Sequence, residues 1–216
     1  MIMMRAMQLL GKLEIQSPEQ IAQFLNEEHV GRIATMDGNG YPQVIPMNFV
    51  FLDGHIYMHS HIKGEKLDNI RREQRVGFEV DRELEFLPSY FEDPVDASLA
   101  DTLYISVVIK GTAEIIDDRV EKSRALNGLM RKYQPEGRYE PITPDMAIHD
   151  YVSVIRISVL SIRGKHKIGQ TLTSEERKIL AEKIFNRSGT TAKETLKIMG
   201  FEISGNSLKM KGRPAW

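Results

Sequence analysis

The sequence predicts a mainly β protein, an antiparallel β-barrel to which helices are added. Six segments have the β-branched and aromatic content of strands, and the first three are joined by tight turns that contain glycine. Tight turns connect antiparallel neighbours and cannot connect parallel ones, so a doubly wound parallel sheet is disfavoured. Two helical segments interrupt the series, one after the third strand and one after the fifth, which favours a barrel decorated by helices.

The N-terminal part is expected to form a helix followed by two hairpins. Ser17 followed by proline is typical of a helix start, and we expect a helix over Pro18–Glu28. Pro42 and Pro46 lie inside the second predicted strand, where proline indicates an edge, a bulge or the end of pairing. The first three predicted strands, separated by turns containing Asp-Gly, are Val30–Met36, Tyr41–Phe51 and His55–His59.

The remaining segments are less regular. Asp81–Asp101 holds seven acidic residues and two prolines, and it is expected to be a solvated surface loop or a lid-like insertion. Gly111 is expected to mark a bulge, a basic tract follows the last strand at Arg163–Lys167, and the basic tail Gly205–Trp216 is expected to be mobile. The other predicted strands are Arg75–Val80, Tyr104–Ile116 and Tyr151–Ile162. Four more helices are predicted: one begins at Glu65, one spans Asp118–Tyr133, one runs from Thr173 to about Asn186, and one spans Thr190–Met199.

Composition limits the class of protein. A chain of 216 residues fits one large domain or one domain with an appendage. A hydrophobic content of 41% and a mean hydropathy of −0.32 are those of a soluble globular protein, and no apolar run approaches the roughly 20 residues that cross a bilayer. The net charge of −1 gives no reason to expect nucleic acid. Zero cysteines exclude disulfides and thiolate chemistry, and we expect a cytoplasmic protein without a signal peptide.

The stretch Ile56–Arg72 predicts a strand, a turn and a helix, and the turn is rich in polar residues. Ser60, Lys63 and Gly64 lie in this turn, and the helix that follows carries Lys66 and ends in two arginines. Backbone N–H groups at a helix start, beside lysine and serine side chains, form a site suited to phosphate. The alternative is an ordinary solvated turn, because strand–turn–helix junctions with lysine are common in α+β proteins.

Three segments of the chain resemble the pyridoxamine 5'-phosphate oxidase superfamily, and within it the nitroimidazole-resistance-like flavoproteins. The resemblance covers residues 18–170 in order. It is carried by the strand from Pro42 to Pro46 with Met47, Asn48 and Phe49, by His59 and Ser60 with Gly64 and Lys66, and by Ser106-Val107-Val108 before Gly111. The resemblance implies an FMN-binding split barrel over residues 18–170, usually a homodimer with FMN at the subunit interface. Residues 171–216 would be a helical extension with a basic tail.

The resemblance also implies roles for particular residues. The phosphate of FMN would be bound by Ser60 and Lys66, supported by Lys63 or Arg71, and a slot for the flavin ring would be supplied by Pro46, Met47, Asn48 and Phe49. The second subunit would close the slot through Ser106 or through the basic tract at Lys165 and His166. His59 would lie near the flavin and take part in substrate handling. The family has a small residue where this chain has His61, so the role of His61 stays open.

The leading hypothesis for function is an FMN-dependent oxidoreductase that reduces a small organic substrate, with a nitro group as the specific expectation. Oxidation of pyridoxamine phosphate is less favoured, because its own phosphate would need a second basic cluster and only Arg163–Lys167 offers one. An alternative is a flavin- or haem-binding module without turnover. His59 and His61 share one face of a strand, but no cysteine or neighbouring carboxylate completes a metal site, so we expect no metal. The expected partners are a small-molecule substrate and a second copy of the chain, with no nucleic acid and no membrane.

Overall fold

The computed structural model describes residues 11–215, and the chain divides into two compact units. The larger unit contains Gln16–Val80 and Val107–Gly164. The smaller unit contains the described residues before Gln16, the segment Asp81–Ser106 and the described residues from Lys165 onward. Three long strands contribute residues to both units.

The main sheet has eight strands in the described chain, and every pairing with a defined register is antiparallel. The strand order is β3-β2-β6-β7-β8-β5-β4, and β1 pairs with β8. A mainly β fold with added helices is therefore confirmed, although the sheet has more strands than the six predicted. The strands are β1 (Glu14–Ile15), β2 (Val30–Met36), β3 (Pro42–Asn48), β4 (Val50–Leu52), β5 (His55–His61), β6 (Arg75–Leu87), β7 (Asp101–Ile116) and β8 (Val152–Lys167).

The helices of the larger unit begin where the sequence provides a cap. Helix α1 spans Pro18–Glu27, and the Ser17 side chain accepts a hydrogen bond from the backbone N–H of Gln20. Helix α2 spans Glu65–Arg72, and helix α3 spans Arg119–Tyr133 with Asp118 as its cap. A 3-10 turn at Ala147–Asp150 precedes β8, close to where a short helical turn was predicted.

Apolar side chains of the larger unit form its core because each strand alternates buried and exposed positions. On β2, Gly31, Ile33 and Thr35 are buried while their neighbours are more exposed. The phenyl ring of Phe78 on β6 packs edge to face against Phe49, with the two ring centroids 5.1 Å apart. Gly31 is required for this packing, because a Cβ there would lie 2.1 Å from the Phe78 ring.

Several boundaries differ from the prediction. The predicted second strand is two strands, β3 and β4, which are separated at Phe49. The third strand continues to His61, so the connection to α2 is shorter than predicted. Strand β6 extends through Asp81–Leu87, so the first third of the predicted acidic loop is paired sheet. Strand β8 extends to Lys167 and includes the basic tract that was predicted to follow it.

Gly111 lies inside the unbroken strand β7. A Cβ at this position would be 2.5 Å from the Ser158 carbonyl oxygen and 2.5 Å from the Ile157 Cγ2 atom. The glycine is therefore explained by the close approach of the β8 backbone, and the expectation of a bulge is not needed to account for it.

The smaller unit contains the C-terminal helices and a hairpin. Helix α4 begins with a capping box in which Thr173 and Glu176 exchange backbone and side-chain hydrogen bonds. The tail is ordered where mobility was predicted. Strand β10 (Ser207–Met210) pairs with β9 (Phe201–Ser204), and the Ala215 N–H donates to the Ile198 carbonyl at 2.8 Å. Trp216, the end of the predicted tail, lies outside the described residues. The elements are α4 (Ser174–Arg187), α5 (Ala192–Ile198), β9 (Phe201–Ser204), β10 (Ser207–Met210) and 3-10 turns at Ser89–Phe91 and Ala97–Leu99.

Among residues 11–215, no helix combines the length and the apolar composition needed to cross a bilayer.

Candidate functional site

The junction between β5 and α2 presents an open helix start. Gly64 occupies the N-cap position with φ of +153°, a backbone conformation that favours glycine, and no side chain of the described residues caps the helix. The Gly64 carbonyl accepts hydrogen bonds from the N–H groups of Leu67 and Asp68. The first N–H groups of α2 therefore remain free for an anion, which the positive end of the helix dipole also attracts.

Two lysines beside this helix start have no carboxylate partner. In the part of the chain that the structure describes, neither the Lys63 nor the Lys66 ammonium forms an ion pair, and Lys66 is half-buried while Lys63 is exposed. The predicted supporting cation Arg71 is instead engaged by Asp68, at 2.8 Å between nitrogen and oxygen. Both lysine ammonium groups are therefore available to a phosphate, while the Glu65 carboxylate in the first turn of the same helix is held by the Gln43 amide.

His59 shares its surroundings with Lys66. The His59 residue is exposed on β5, yet partial desolvation of its imidazole is the larger cause that lowers its pKa below the ordinary value, and the positive charge of Lys66 lowers it further. The His59 imidazole is consequently neutral at neutral pH, with one nitrogen able to donate a hydrogen bond and the other able to accept one. A neutral imidazole beside a cationic phosphate site is suited to proton transfer and to orienting a polar substrate.

Ser60 and His61 shape the turn itself. The Ser60 hydroxyl donates to the His61 carbonyl oxygen at 2.9 Å, and the backbone N–H of Lys63 donates to the His61 Nδ1 atom at 3.1 Å. In the second contact Nδ1 is the acceptor, and this bond stabilises the bend that carries Lys63. The His61 side chain is exposed to solvent. The structure thus gives His61 a role in turn geometry, a question that the sequence left open.

Strand β3 lies at the edge of the sheet, as the prolines indicated. Pro46, Met47 and Asn48 lie opposite Arg32, Gly31 and Val30 of β2, and no residue of β3 is fully buried on either face. One backbone edge of β3 and the face that carries Pro46 and Asn48 are therefore accessible in the single chain, while Met47 on the other face is half-buried. This is the arrangement that a flat ring would need in order to meet main-chain groups.

Phe49 is placed differently from the three residues before it. Its side chain is fully buried against Phe78, and the Lys132 ammonium lies 3.8 Å from the ring centroid. Its N–H donates to the Tyr133 hydroxyl, and its carbonyl accepts from the same hydroxyl. Both the side chain and the backbone of Phe49 are therefore already engaged within the core.

A buried amide connects α2 to β2 and β3, a contact that was not predicted from the sequence. The Asn69 side chain is 1% exposed, and its amide donates to the Thr35 hydroxyl at 3.1 Å and to the Gln43 side chain at 3.2 Å. Its oxygen accepts from the Arg72 guanidinium at 2.8 Å. Gln43 in turn donates to Glu65 at the start of α2, at 2.5 Å. These contacts fix the helix start against the edge strand.

A signal for this network was present in the sequence. Asn69 stands between Leu67 and Ile70, which are the buried apolar residues of α2. An amide therefore falls on the apolar face of an eight-residue helix. A buried amide needs partners, and this requirement predicts a polar contact from the neighbouring strands.

The remaining predicted site residues belong to the smaller unit. Ser106 is half-buried on β7, and the Lys165 ammonium on β8 lies 5.9 Å from the centroid of the Tyr104 ring. The larger unit brings together His59, Ser60, Lys63, Lys66 and β3, and it does not include these two residues. Within residues 11–215, no group of three histidine or carboxylate side chains is arranged to hold a metal ion.

Comparisons with known proteins agree with this architecture. A family model described as Pyridoxamine 5'-phosphate oxidase matches residues 17–166. A comparison with curated proteins gave no significant match. A comparison with solved structures gave significant matches, and these confirm the split-barrel fold.

Three of these structures illustrate the likeness. A protein from Bacteroides thetaiotaomicron, described as a candidate 5-nitroimidazole antibiotic resistance protein, is 23% identical with a TM-score of 0.59; the match covers 71% of this chain and 86% of that one. The flavocytochrome Anf3 from Azotobacter vinelandii is 21% identical with a TM-score of 0.62, over 72% and 69% of the two chains. A FAD and heme binding protein from Mycobacterium smegmatis is 14% identical with a TM-score of 0.57, over 71% and 73%.

Proposed function

We propose that this chain, which belongs to the pyridoxamine 5'-phosphate oxidase family, binds FMN and reduces a small organic substrate. The observation that carries the proposal is the uncapped start of α2 beside two unpaired lysines and a neutral histidine. Proteins of the same fold whose descriptions name a flavocytochrome, FAD binding or nitroimidazole resistance support a flavin and this substrate class, and FMN is the flavin that we propose. A nitro compound is the substrate type that we propose.

The larger unit offers groups suited to each part of FMN. Lys66, Lys63 and the free N–H groups of α2 would hold the phosphate, with the Ser60 hydroxyl beside them. Ser60 would have to turn from the His61 carbonyl to donate to a phosphate oxygen, a rotation that a hydroxyl on the surface permits. The accessible edge of β3 at Pro46, Met47 and Asn48 would provide main-chain contacts for the flavin ring.

The bound flavin would supply hydride or electron transfer. His59 would hold a substrate polar group over the ring through a hydrogen bond donated by the N–H of its neutral imidazole. The positive charge of Lys66 has a second effect here, because it favours the neutral form of His59, in which one ring nitrogen donates a hydrogen bond and the other accepts one. The Asn69 network keeps Lys66 and β3 at a fixed distance while this happens.

A second copy of the chain is proposed to close the flavin site. The β2–β3 hairpin exposes large apolar side chains in the single chain: Val30 at 44%, Met36 at 40%, Tyr41 at 71% and Val44 at 58%. Apolar groups gathered on one exposed hairpin are typical of an interaction surface. We propose a homodimer in which this hairpin is covered, with Ser106 or Lys165 as contributions from the second subunit.

Light scattering with cofactor analysis tests the dimer and the cofactor together. The expected result is a dimer that releases FMN on heating, with mass spectrometry separating FMN from FAD. A monomer that holds FMN would refute the interface proposal and leave the phosphate site standing. A haem spectrum in place of a flavin spectrum would favour the non-catalytic alternative.

A further inference from the structure

The smaller unit contains a cavity of about 340 Å³ that the proposed flavin chemistry does not use. Its walls include Leu87 at the end of β6, Phe91 in the first 3-10 turn, Leu103 on β7 and Leu180 on α4. Leu103 is 2% exposed, and Leu87 and Phe91 are each 9% exposed. The segment between β6 and β7, expected from the sequence to be a loop, thus forms one wall of an apolar cavity.

Five charged side chains line this cavity, and each is already engaged by an ion pair or by hydrogen bonds. The Lys167 ammonium contacts the Asp101 carboxylate, and the Lys183 ammonium lies 3.1 Å from Glu92. The fifth charged residue, Glu176, accepts the hydrogen bonds of the capping box at the start of α4. A charged ligand would have to break one of these pairs, whereas a neutral ligand leaves all of them intact.

The rim of the cavity is also apolar. Ile179 and Leu99 line it and are 46% and 42% exposed, although both are large aliphatic side chains. A ligand seated in the cavity would remove this apolar surface from water, which favours binding in proportion to the area covered.

We propose that this cavity binds a neutral apolar ring compound. About 340 Å³ equals the liquid volume of roughly eleven water molecules at about 30 Å³ each, which suits a compound of one or two fused rings. Both lysines of the lining are held by carboxylates and the remaining carboxylate, Glu176, is used by the capping box, so no charged side chain is free to bind an ionic ligand. This site is independent of the flavin proposal, because none of its lining residues is a proposed flavin contact.

Titration with N-phenyl-1-naphthylamine, a neutral dye whose fluorescence rises in apolar surroundings, tests the proposal. Excess FMN is included so that the flavin site cannot contribute. The expected result is saturable binding, with much weaker binding of 8-anilinonaphthalene-1-sulfonate, which has the same rings and an added negative charge. Equal affinity for the two dyes would overturn the assignment of a neutral ligand.

Two variants locate the dye. Leu180→Trp fills the cavity, and Ile179→Lys places a cation at its exposed rim without disturbing the core. Each should weaken dye binding about tenfold or more, the factor expected when roughly 60 Å² of apolar contact is lost. Val120→Lys is the matched control, because Val120 is an exposed aliphatic residue on α3 that does not line the cavity. Absence of saturable binding, or an equal loss in the control, would overturn the proposal.

Discussion

Replacing Lys66 by alanine should change two measurable properties of the site. The Lys66 charge lowers the pKa of His59, so its removal should raise that pKa toward the ordinary value, although the contribution of burial remains. The same variant should weaken FMN binding. Lys66 has no carboxylate partner among the described residues, and alanine is a good helix former, so we expect the fold to be retained.

The expected loss of affinity follows from one charge-assisted contact. Such a hydrogen bond contributes about 1.5–3 kcal/mol, which corresponds to an increase in Kd of about 10- to 150-fold. Lys63→Ala should have a smaller effect on affinity, because Lys63 is exposed and screened by salt, and it should not alter the pKa of His59. Lys193→Ala, an exposed lysine of the smaller unit, serves as the control for a general change in charge.

Two assays separate these effects. The pKa of His59 is measured in cofactor-free protein from the pH dependence of its imidazole proton resonance, which a His59→Gln variant assigns. The Kd for FMN is measured by quenching of flavin fluorescence. An unchanged His59 pKa would refute the proximity of Lys66, and an unchanged Kd would refute its contact with phosphate even if the proximity is correct.

Three further predictions concern the residues around the site. Asn69→Ala leaves buried polar groups without partners, so the free energy of unfolding in urea should fall by about 1–3 kcal/mol, while Asn206→Ala in an exposed turn should stay within about 0.5 kcal/mol. Burial lowers the pKa of Lys132 to about 8, below that of the unfolded chain, so the unfolded state binds more protons above pH 8. The unfolding free energy should therefore rise between pH 8 and about 10.5, and Lys132→Met should lose this rise; a rise that persists would contradict the assignment. His59→Ala should retain the flavin and lower turnover by about 10²-fold or more, whereas loss of the flavin would make His59 a cofactor contact.

The sequence predicted those elements whose signals are local. Ser17 with proline marked the start of α1, and the Asp-Gly turns marked the hairpins around β2 to β5. Prolines in β3 indicated an edge, a bulge or the end of pairing, and the structure shows the first of these, because an edge position leaves the missing N–H without a required partner. Each of these features depends on the conformational preferences of a few adjacent residues.

Features that depend on distant contacts were missed. The acidic residues of Asp81–Leu87 suggested a loop, yet Leu84 and Glu85 are buried there, and the segment belongs to β6. The Glu85 carboxylate is stabilised by Arg187 and Thr191, which lie about a hundred residues later in the chain. No local pattern could supply those partners, and pairing partners decide whether a charged segment forms a strand.

In the candidate site too, the local features were predicted and the features that depend on distant contacts were not. The position of Lys63, Gly64 and Lys66 at the start of a helix was predicted from residue type and position, because a helix start is a local feature, and their contact with phosphate stays a prediction. The buried face of Phe49 and the Asn69 network depend on how β2, β3 and α2 pack together, and the sequence alone did not specify that packing. The engagement of Arg71 by Asp68 was foreseeable from their spacing of three residues on one helix.

The absorption spectrum of the purified protein, followed by identification of any chromophore released on heating, tests the central proposal most directly. We predict the bands of an oxidised flavin and the release of FMN. A colourless protein that also fails to take up added FMN would contradict the account, because the fold would then be shared with the family while the cofactor is not.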